Sequence, residues 1–316
     1  MNISVCIATY RRADRLQALL GDLSEQERPP FEIVVVDNDA SGSARAVVER
    51  ERRRRLPYRI LYAVQPEQNI SLTRNRSVEL ASGDWLAFID DDERAPAKWL
   101  TQLSEAANWY TADGVLGPVV PIVADNAPRW IRRGRFYHWP RMRSGESVPG
   151  NRLRFGNVLL RAKLLACAAP FDPAYGLTGG EDGDLLTRLT NGGAQIVWCD
   201  EAIVHEPVES GRLSLRWLLR RALRGGQDFA RHTLAGRYGP MTALRRAIFV
   251  TRAGMQLLVA AVLMLPSCML GRHRAVYWLL KAAANTGKLS VFWGCHYREY
   301  ARPPDAAASQ RAGVSA

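Results

Sequence analysis

The sequence predicts an α/β fold organised around a mostly parallel sheet. Three observations carry this. Short apolar runs alternate with amphipathic segments over the first two thirds of the 316 residues, and such alternation builds βαβ units. The run at residues 32–36 ends in three consecutive valines (Val34, Val35, Val36), the pattern of a strand buried on both faces. Two acidic clusters, Asp37-Asn38-Asp39 and Asp90-Asp91-Asp92, each follow an apolar run directly. Ligands bind at the carboxyl ends of parallel strands, so both clusters should share one crevice.

Taken in order, residues 3–8 form the first strand. Residues 13–25 follow as a helix, with Leu16, Leu19, Leu20 and Leu23 at helical spacing. Residues 32–36 are the second strand and 45–55 a polar helix. The basic run 50–55 at its end is the pattern of a solvated helix terminus. Residues 60–64 give a third strand, 72–81 a helix, and 85–89 a fourth apolar strand. Residues 125–156 are rich in Arg, Trp, Pro and Gly and lack periodicity, so they are expected to loop over the crevice. Residues 181–189 resume as a helix and 195–199 as a strand. No internal repeat is visible.

With 47% hydrophobic residues the chain can bury a substantial core. Its five cysteines are scattered, with no CxxC pair, which argues against a disulfide framework or a zinc site and for a reducing compartment. The amino terminus runs straight into an apolar strand and lacks the three-part pattern of a signal peptide. The net charge of +12 is unevenly placed: residues 1–204 carry 26 Lys and Arg against 26 Asp and Glu, while residues 205–316 carry 17 against 5. Nucleic acid or anionic lipid could each draw such a segment.

Several chemistries compete for Asp37-Asn38-Asp39-Ala40-Ser41-Gly42. An EF-hand calcium loop fails, because the twelfth position is Val48 rather than a bidentate Glu and the preceding element is a strand. A phosphatase of the haloacid-dehalogenase type, with Asp37 as nucleophile, fits locally but leaves residues 3–8 and the motif at 179–184 unexplained. A nucleotide pocket, with Asp37 accepting from base or ribose, also fits, as does an acidic cap on the following helix. The run Asp90-Asp91-Asp92-Glu93 is more specific. Adjacent carboxylates repel unless a cation compensates. A hard divalent cation takes oxygen ligands and keeps positions open for phosphate oxygens, which suits a bound diphosphate. Gly179-Gly180-Glu181-Asp182-Gly183-Asp184 places carboxylates in a first helical turn, either for dipolar reasons or as a general base. His205 is a further ligand candidate or a structural histidine.

These segments together resemble the family 2 glycosyltransferases over about residues 1–235. The pieces occur in order: Val5-Cys6-Ile7-Ala8-Thr9-Tyr10-Arg11, Val35-Val36-Asp37-Asn38, the Arg74-Asn75 pair, Gly83-Asp84 leading to Asp90-Asp91-Asp92, and Gly180-Glu181-Asp182. More narrowly, Leu116-Gly117-Pro118-Val119, Ala127-Pro128-Arg129-Trp130, His205-Glu206-Pro207-Val208 and residues 212–227 are similar to bacterial exopolysaccharide glucosyltransferases of the succinoglycan type. The resemblance implies a GT-A fold, a Rossmann-like sheet with flanking helices. It implies that Thr9, Tyr10, Arg11 and Asp37 line the nucleoside and that Arg74 faces the nucleotide or diphosphate. Asp90, Asp91 and Asp92 would meet the sugar-nucleotide, with Asp90, Asp92 and His205 as ligands of a divalent metal (Mg2+ or Mn2+). Asp182 would be the catalytic base, and Glu181, Gly180 and Trp130 would contact the acceptor. UDP-glucose as donor, a lipid-linked oligosaccharide as acceptor and a β linkage are implied in the same way, as is the cytoplasmic face of the bacterial inner membrane.

The basic surplus sits beside apolar stretches. Arg212, Arg216, Arg220 and Arg224 fall four apart, opposite Leu215, Leu218, Leu219, Ala222 and Leu223, giving a helix with one basic and one apolar face. It could meet a membrane surface, a diphosphate or the protein core. Nineteen uncharged residues separate Arg252 from Arg272, borderline for spanning a bilayer. Residues 275–295 are a second apolar stretch, interrupted by Lys281 and Lys288. A single span, a shallow hairpin, in-plane helices or a buried core helix all fit. No nucleic-acid-binding motif is present, and the pairing of basic with apolar surface favours lipid. The expected organisation is therefore a glycosyltransferase domain at 1–235, a helical membrane-associated region at 236–300 and a disordered tail at 301–316.

Overall fold

The structure, a computed structural model, describes residues 1–300; the expected tail at 301–316 lies outside the described residues. The chain opens with β1 (Ile3–Thr9), α1 (Ala13–Ser24), β2 (Glu32–Asp37), α2 (Arg45–Arg52), β3 (Arg59–Val64), α3 (Ile70–Leu80) and β4 (Trp85–Ile89). Each lies within a few residues of its sequence expectation. It continues with α4 (Trp99–Trp109), β5 (Gly114–Leu116), β6 (Val119–Ile122), α5 (Arg129–Gly134), β7 (Asn157–Arg161), α6 (Glu181–Asn191), β8 (Ile196–Trp198) and β9 (Val204–Pro207). Helices α7 (Leu215–Leu234), α8 (Ala243–Met269) and α9 (Arg272–Ser290) follow.

Seven strands form one sheet in the order β3-β2-β1-β4-β7-β5-β8. β1 is parallel to β2 and β4, β2 to β3, and β5 to β8. β7 runs antiparallel to both β4 and β5. The sheet is thus mostly parallel but mixed. The register Thr9↔Asp37 and Asp37↔Val64 brings the carboxyl ends of β1, β2 and β3 level, and the acidic turn after β4 lies beside them. A second, two-stranded sheet pairs β6 with β9.

Alternation along each strand divides the core. Val5, Ile7, Val35, Ala87 and Ile89 face the layer of α1, α2 and α4, where Leu16, Leu19, Leu20 and Leu23 of α1 meet Val47, Val48, Trp99 and Leu103. Cys6, Val34, Val36, Leu86 and Phe88 face α3 and α6, with Phe155, Phe171, Leu185 and Leu186. Helices on both faces explain why the three valines of β2 read as one continuous apolar run.

The region expected to loop without structure at 125–156 holds α5 and a short 3-10 turn at Gly150–Arg152. Strands β5, β6, β7 and β9 are three to five residues long, too short to show a period. The basic helix starts at Leu215, capped by the Ser214 hydroxyl. Arg212 therefore lies in the preceding 3-10 turn, not on the helix face.

Helices α7, α8 and α9 pack together. α7 and α9 cross where Gly226 and Gly287 let the backbones approach: a Cβ on Gly226 would stand 1.9 Å from the Ala284 carbonyl oxygen, and one on Gly287 2.1 Å from that of Leu223. α8 is long and apolar enough to cross a membrane, and 11% of its most apolar window is buried. Its outward residues include Leu258, Val262 and Leu265, each at least 60% exposed.

Candidate active site

The crevice lies along the carboxyl ends of β1, β2 and β4. Its floor is Asp90-Asp91-Asp92, where mutual repulsion is relieved by arginines: Arg74 on Asp90, Arg12 shared by Asp91 and Asp92, and Arg15 and Arg212 on Asp92. Asp90 Oδ1 accepts from Arg74 Nη2 at 3.1 Å. Asp91 turns inward, accepting from the Thr9 hydroxyl at 2.8 Å and from Arg12 Nη1 at 3.0 Å. Asp92 Oδ2 meets Arg212 at 2.8 Å, Arg12 at 3.2 Å and Arg15 at 3.5 Å. Burial pushes Asp91 up to about 6, with Arg12 opposing. Asp90 is recessed in protein yet keeps 45% of its side chain open. Burial raises its carboxyl, Arg74 opposes, and Asp92 and Asp182 add to the rise. Glu93 is buried and accepts from the Asp90 N–H at 3.1 Å; burial raises it well above the usual range.

Arg74 lies against two carboxylates of the site. Its guanidinium is buried between the rings of Phe155 and Phe171, 4.9 and 5.9 Å away. It donates to Glu181 Oε1 at 2.5 Å as well as to Asp90. Arg74 is thereby committed to positioning two carboxylates. Burial pushes Glu181 up to about 7 against the pull of Arg74, and its Oε2 is buried without a hydrogen-bond partner.

Asp37 is likewise enclosed. It is fully buried, with Oδ1 accepting from the Asp39 N–H at 3.0 Å and Oδ2 from the Ala44 N–H at 2.7 Å and the Tyr62 hydroxyl at 3.1 Å. Its carboxylate closes the loop into α2, which is the capping role the sequence left open. A phosphatase nucleophile must be exposed, so this burial removes that reading. Next to β1, Arg11 adopts a left-handed φ of 53° and donates Nε to Asp39 at 3.0 Å, and Tyr10 stacks against its guanidinium at 5.2 Å. Thr9 to Arg11 thus hold the acidic loops together at the crevice edge.

Asp182 stands at the start of α6, after Gly179 and Gly180 at φ 82° and 95°. Its Oδ1 accepts from the Gly183 N–H at 2.8 Å and its Oδ2 from the Phe155 N–H at 3.2 Å. It is half-buried and makes no ion pair among the described residues, while Glu181 points into the Arg74 pair. α7 fixes this turn from outside: Arg231 Nη2 donates to the Gly179 carbonyl at 2.6 Å, and the His232 ring meets that of Gly180 at 2.9 Å. Asp228 of α7 lies 3.3 Å from where a Gly180 Cβ would be. Burial pushes Asp228 up to about 6.

Of the two remaining expected residues, His205 lies beside the acidic turn and Trp130 lies apart from it. His205 pairs by backbone with Arg94, at 2.8 and 2.9 Å, so it neighbours the acidic turn, and its Nδ1 is buried without a partner. Trp130 packs against Phe136 and beneath the Arg272 guanidinium of α9 and makes no described contact with Glu181 or Asp182. Among the described residues no three His, Cys, Asp or Glu side chains converge as a metal-ligand set. The donor chemistry nevertheless suits a hard cation at the acidic turn, where an open Asp90 stands beside Asp92 and both offer carboxylate oxygens. Magnesium-type sites need one or two carboxylates when substrate phosphates complete the shell.

Sequence reasoning missed Arg12, Arg15, Arg154, Arg221, Asp228 and Tyr300. Tyr300 donates its N–H to the Leu177 carbonyl at 3.0 Å, and burial beside Glu181 raises its phenol. Arg12 and Arg15, just past β1, carried a positional signal, and Arg221 lies in the basic stretch 212–227; the others sit in no motif.

The sheet order, with an antiparallel strand inserted beside β4 and carboxylates at the strand ends, is that of the GT-A glycosyltransferases. A mannosyltransferase from Pyrobaculum calidifontis, solved with GDP-Man and Mn2+, superposes with a TM-score of 0.62 over 93% of this chain and 87% of its own, at 19% identity. Residues 4–162 match the family model for glycosyl transferase family 2, and the chain belongs to that family. It is 38% identical to the succinoglycan biosynthesis protein ExoM of Rhizobium meliloti, over 92% of this chain and 94% of that protein. A galactofuranosyltransferase of Mycobacterium tuberculosis is 28% identical over 68% of this chain and 76% of its own length. The chain is a glycosyltransferase.

Proposed function

We propose that this enzyme transfers a hexose, glucose in the first instance, from a nucleotide sugar to a lipid-linked glycan during exopolysaccharide assembly, with inversion, at the cytoplasmic face of a bacterial inner membrane. The likeness to ExoM over nearly the whole chain supports the pathway class, and the outward apolar face of α8 supports the membrane. The observation that carries the chemistry is Asp182: a half-buried carboxylate on two backbone N–H groups at a helix start, free of the arginine that occupies Glu181.

In this reading Asp182 takes the proton from the acceptor hydroxyl as its oxygen attacks the anomeric carbon. The bond from that carbon to the diphosphate oxygen breaks on the opposite face. The helix start favours the ionised carboxylate, as a base requires. Arg74 keeps Glu181 and Asp90 in place, and α7 holds the Gly179-Gly180 turn that sets the angle of Asp182. A divalent cation held by Asp90 and Asp92, with His205 at hand, would supply neutralisation of the departing diphosphate. Full-length protein incubated with Mn2+, a nucleotide-sugar panel and lipid-linked acceptors should release nucleoside diphosphate most rapidly from UDP-glucose. Absence of release from every donor would refute the reading, and preference for another sugar would correct the donor.

A further inference from the structure

Arg154 and Arg221 stand out because neither meets a carboxylate at ion-pair distance among the described residues. Arg154 lies just before β7, beside the Phe155 that packs on Arg74; Arg221 lies on α7. Neither forms an ion pair or hydrogen bond among the described residues. Each is instead held by aromatic faces: Arg154 lies 4.9 Å from the Trp139 ring, and Arg221 lies 5.3 Å from Trp217 and 5.9 Å from Tyr137. Burial lowers both, Arg154 to about 10. The carboxylates that reach Arg154 are Glu93, Glu206 and, more weakly, Asp182, while Arg221 repels it. Glu206, the carboxylate that most opposes the lowering of Arg221, is already paired with Arg212 at 2.6 Å.

Arg154 adjoins Phe155, whose N–H reaches Asp182 at 3.2 Å, and Arg221 shares the Trp217 ring with Arg212, the partner of Asp92. Two partly desolvated cations on the walls of one crevice cost stability unless an anion joins them. Aromatic stacking fixes the plane of a guanidinium and leaves its N–H edge for an oxyanion, and that fork matches phosphate geometry. The pair sits between the base Asp182 and the Asp92–Glu206 side of the crevice. Arg74, by contrast, has both of its outer nitrogens committed to carboxylates.

We propose that Arg154 and Arg221 form the cationic clamp for the leaving diphosphate of the donor, in place of Arg74. This rests on the nucleotide-sugar reading above. As the bond between anomeric carbon and phosphate oxygen breaks, its electron pair stays on the diphosphate. The two guanidiniums receive that added charge, while the acceptor proton passes to Asp182.

The test is titration calorimetry on full-length protein in detergent with UDP, GDP, UMP and inorganic pyrophosphate, alongside turnover. Arg154→Gln and Arg221→Gln should each weaken the nucleoside diphosphate that binds the wild type by about 10- to 100-fold and lower kcat. UMP binding should be unchanged, since it lacks the outer phosphate. Lys at either position should restore part of the loss, which a purely structural role would not predict. Arg220→Gln, on the exposed face of the same helix, should bind diphosphate normally. Melting curves identify any variant that fails to fold, and the Lys variants then decide. Normal diphosphate affinity with a raised acceptor KM would overturn the proposal and assign the anion to the acceptor. Wild-type protein that neither binds a nucleoside diphosphate nor turns over any donor would instead sink the nucleotide-sugar reading itself.

Discussion

Asp182→Asn isolates proton abstraction from everything else in the crevice. The amide keeps the shape of the carboxylate and one acceptor oxygen, which can still receive the Gly183 N–H now at 2.8 Å. The amide nitrogen then faces the Phe155 N–H, so the 3.2 Å bond is lost. For a half-exposed group that costs about 1 kcal/mol, with a further 0.3–1 kcal/mol, roughly, for the charge at the α6 start. The fold should therefore survive. Loss of a general base lowers turnover by roughly 10²–10⁴, or about 3–5 kcal/mol in the barrier. Nucleoside diphosphate affinity should hold, because no proposed donor contact involves Asp182. Glu181→Gln behaves differently: the amide oxygen can still accept from Arg74, but the buried guanidinium loses a counter-charge, and uncompensated buried charge costs up to about 3–5 kcal/mol of stability. The assay is nucleoside diphosphate release under saturating donor and acceptor, with calorimetry for binding and melting for stability. Near-normal turnover in Asp182→Asn, with loss in a folded Glu181→Gln, would make Glu181 the base, a role its rise to about 7 would suit. Full activity in both would remove the α6 start from the mechanism.

Chelation should silence the enzyme and Mn2+ or Mg2+ restore it, with Asp90→Asn raising the metal concentration for half-maximal rate by about tenfold or more; undiminished activity in EDTA refutes the metal assignment. Full-length protein should pellet with liposomes and resist moderate salt, and Leu258→Glu with Val262→Glu on the open face of α8 should release it, each charge costing about 3 kcal/mol in a bilayer; release of the wild type by salt alone would place that face outside the membrane. Asp228 has a folded pKa raised from 3.8 to about 6, so its stabilising contribution is present below pH 4 and lost as pH rises through 6, up to about 3 kcal/mol. Melting temperature should therefore fall less between pH 4.5 and 7 in Asp228→Asn than in the wild type, and an unchanged slope contradicts the burial argument.

The strand–helix alternation through β4, the start of α6, and the placement of Asp37, Asp90–Asp92 and Asp182 at element ends are legible along the chain. These follow from local rules: the apolar faces of α1 and β2, the repulsion of adjacent carboxylates, the helix-start preference for acids. What each charge does depends on the folded arrangement. The antiparallel β7 and short β5, β6 and β9 are set by pairing partners far away in the chain, so no period announces them. Arg74 and Asp37 are spoken for because partners 107 and seven residues along the chain take up their hydrogen bonds. Whether an arginine neutralises a carboxylate or waits for a phosphate depends on which carboxylates fold against it. Asp92 draws Arg12 and Arg15 from the start of α1 and Arg212 from the turn before α7, while among the described residues Arg154 and Arg221 meet aromatic rings and form no ion pair. Charge pairing acts over a few ångströms in space, and sequence separation carries no record of it.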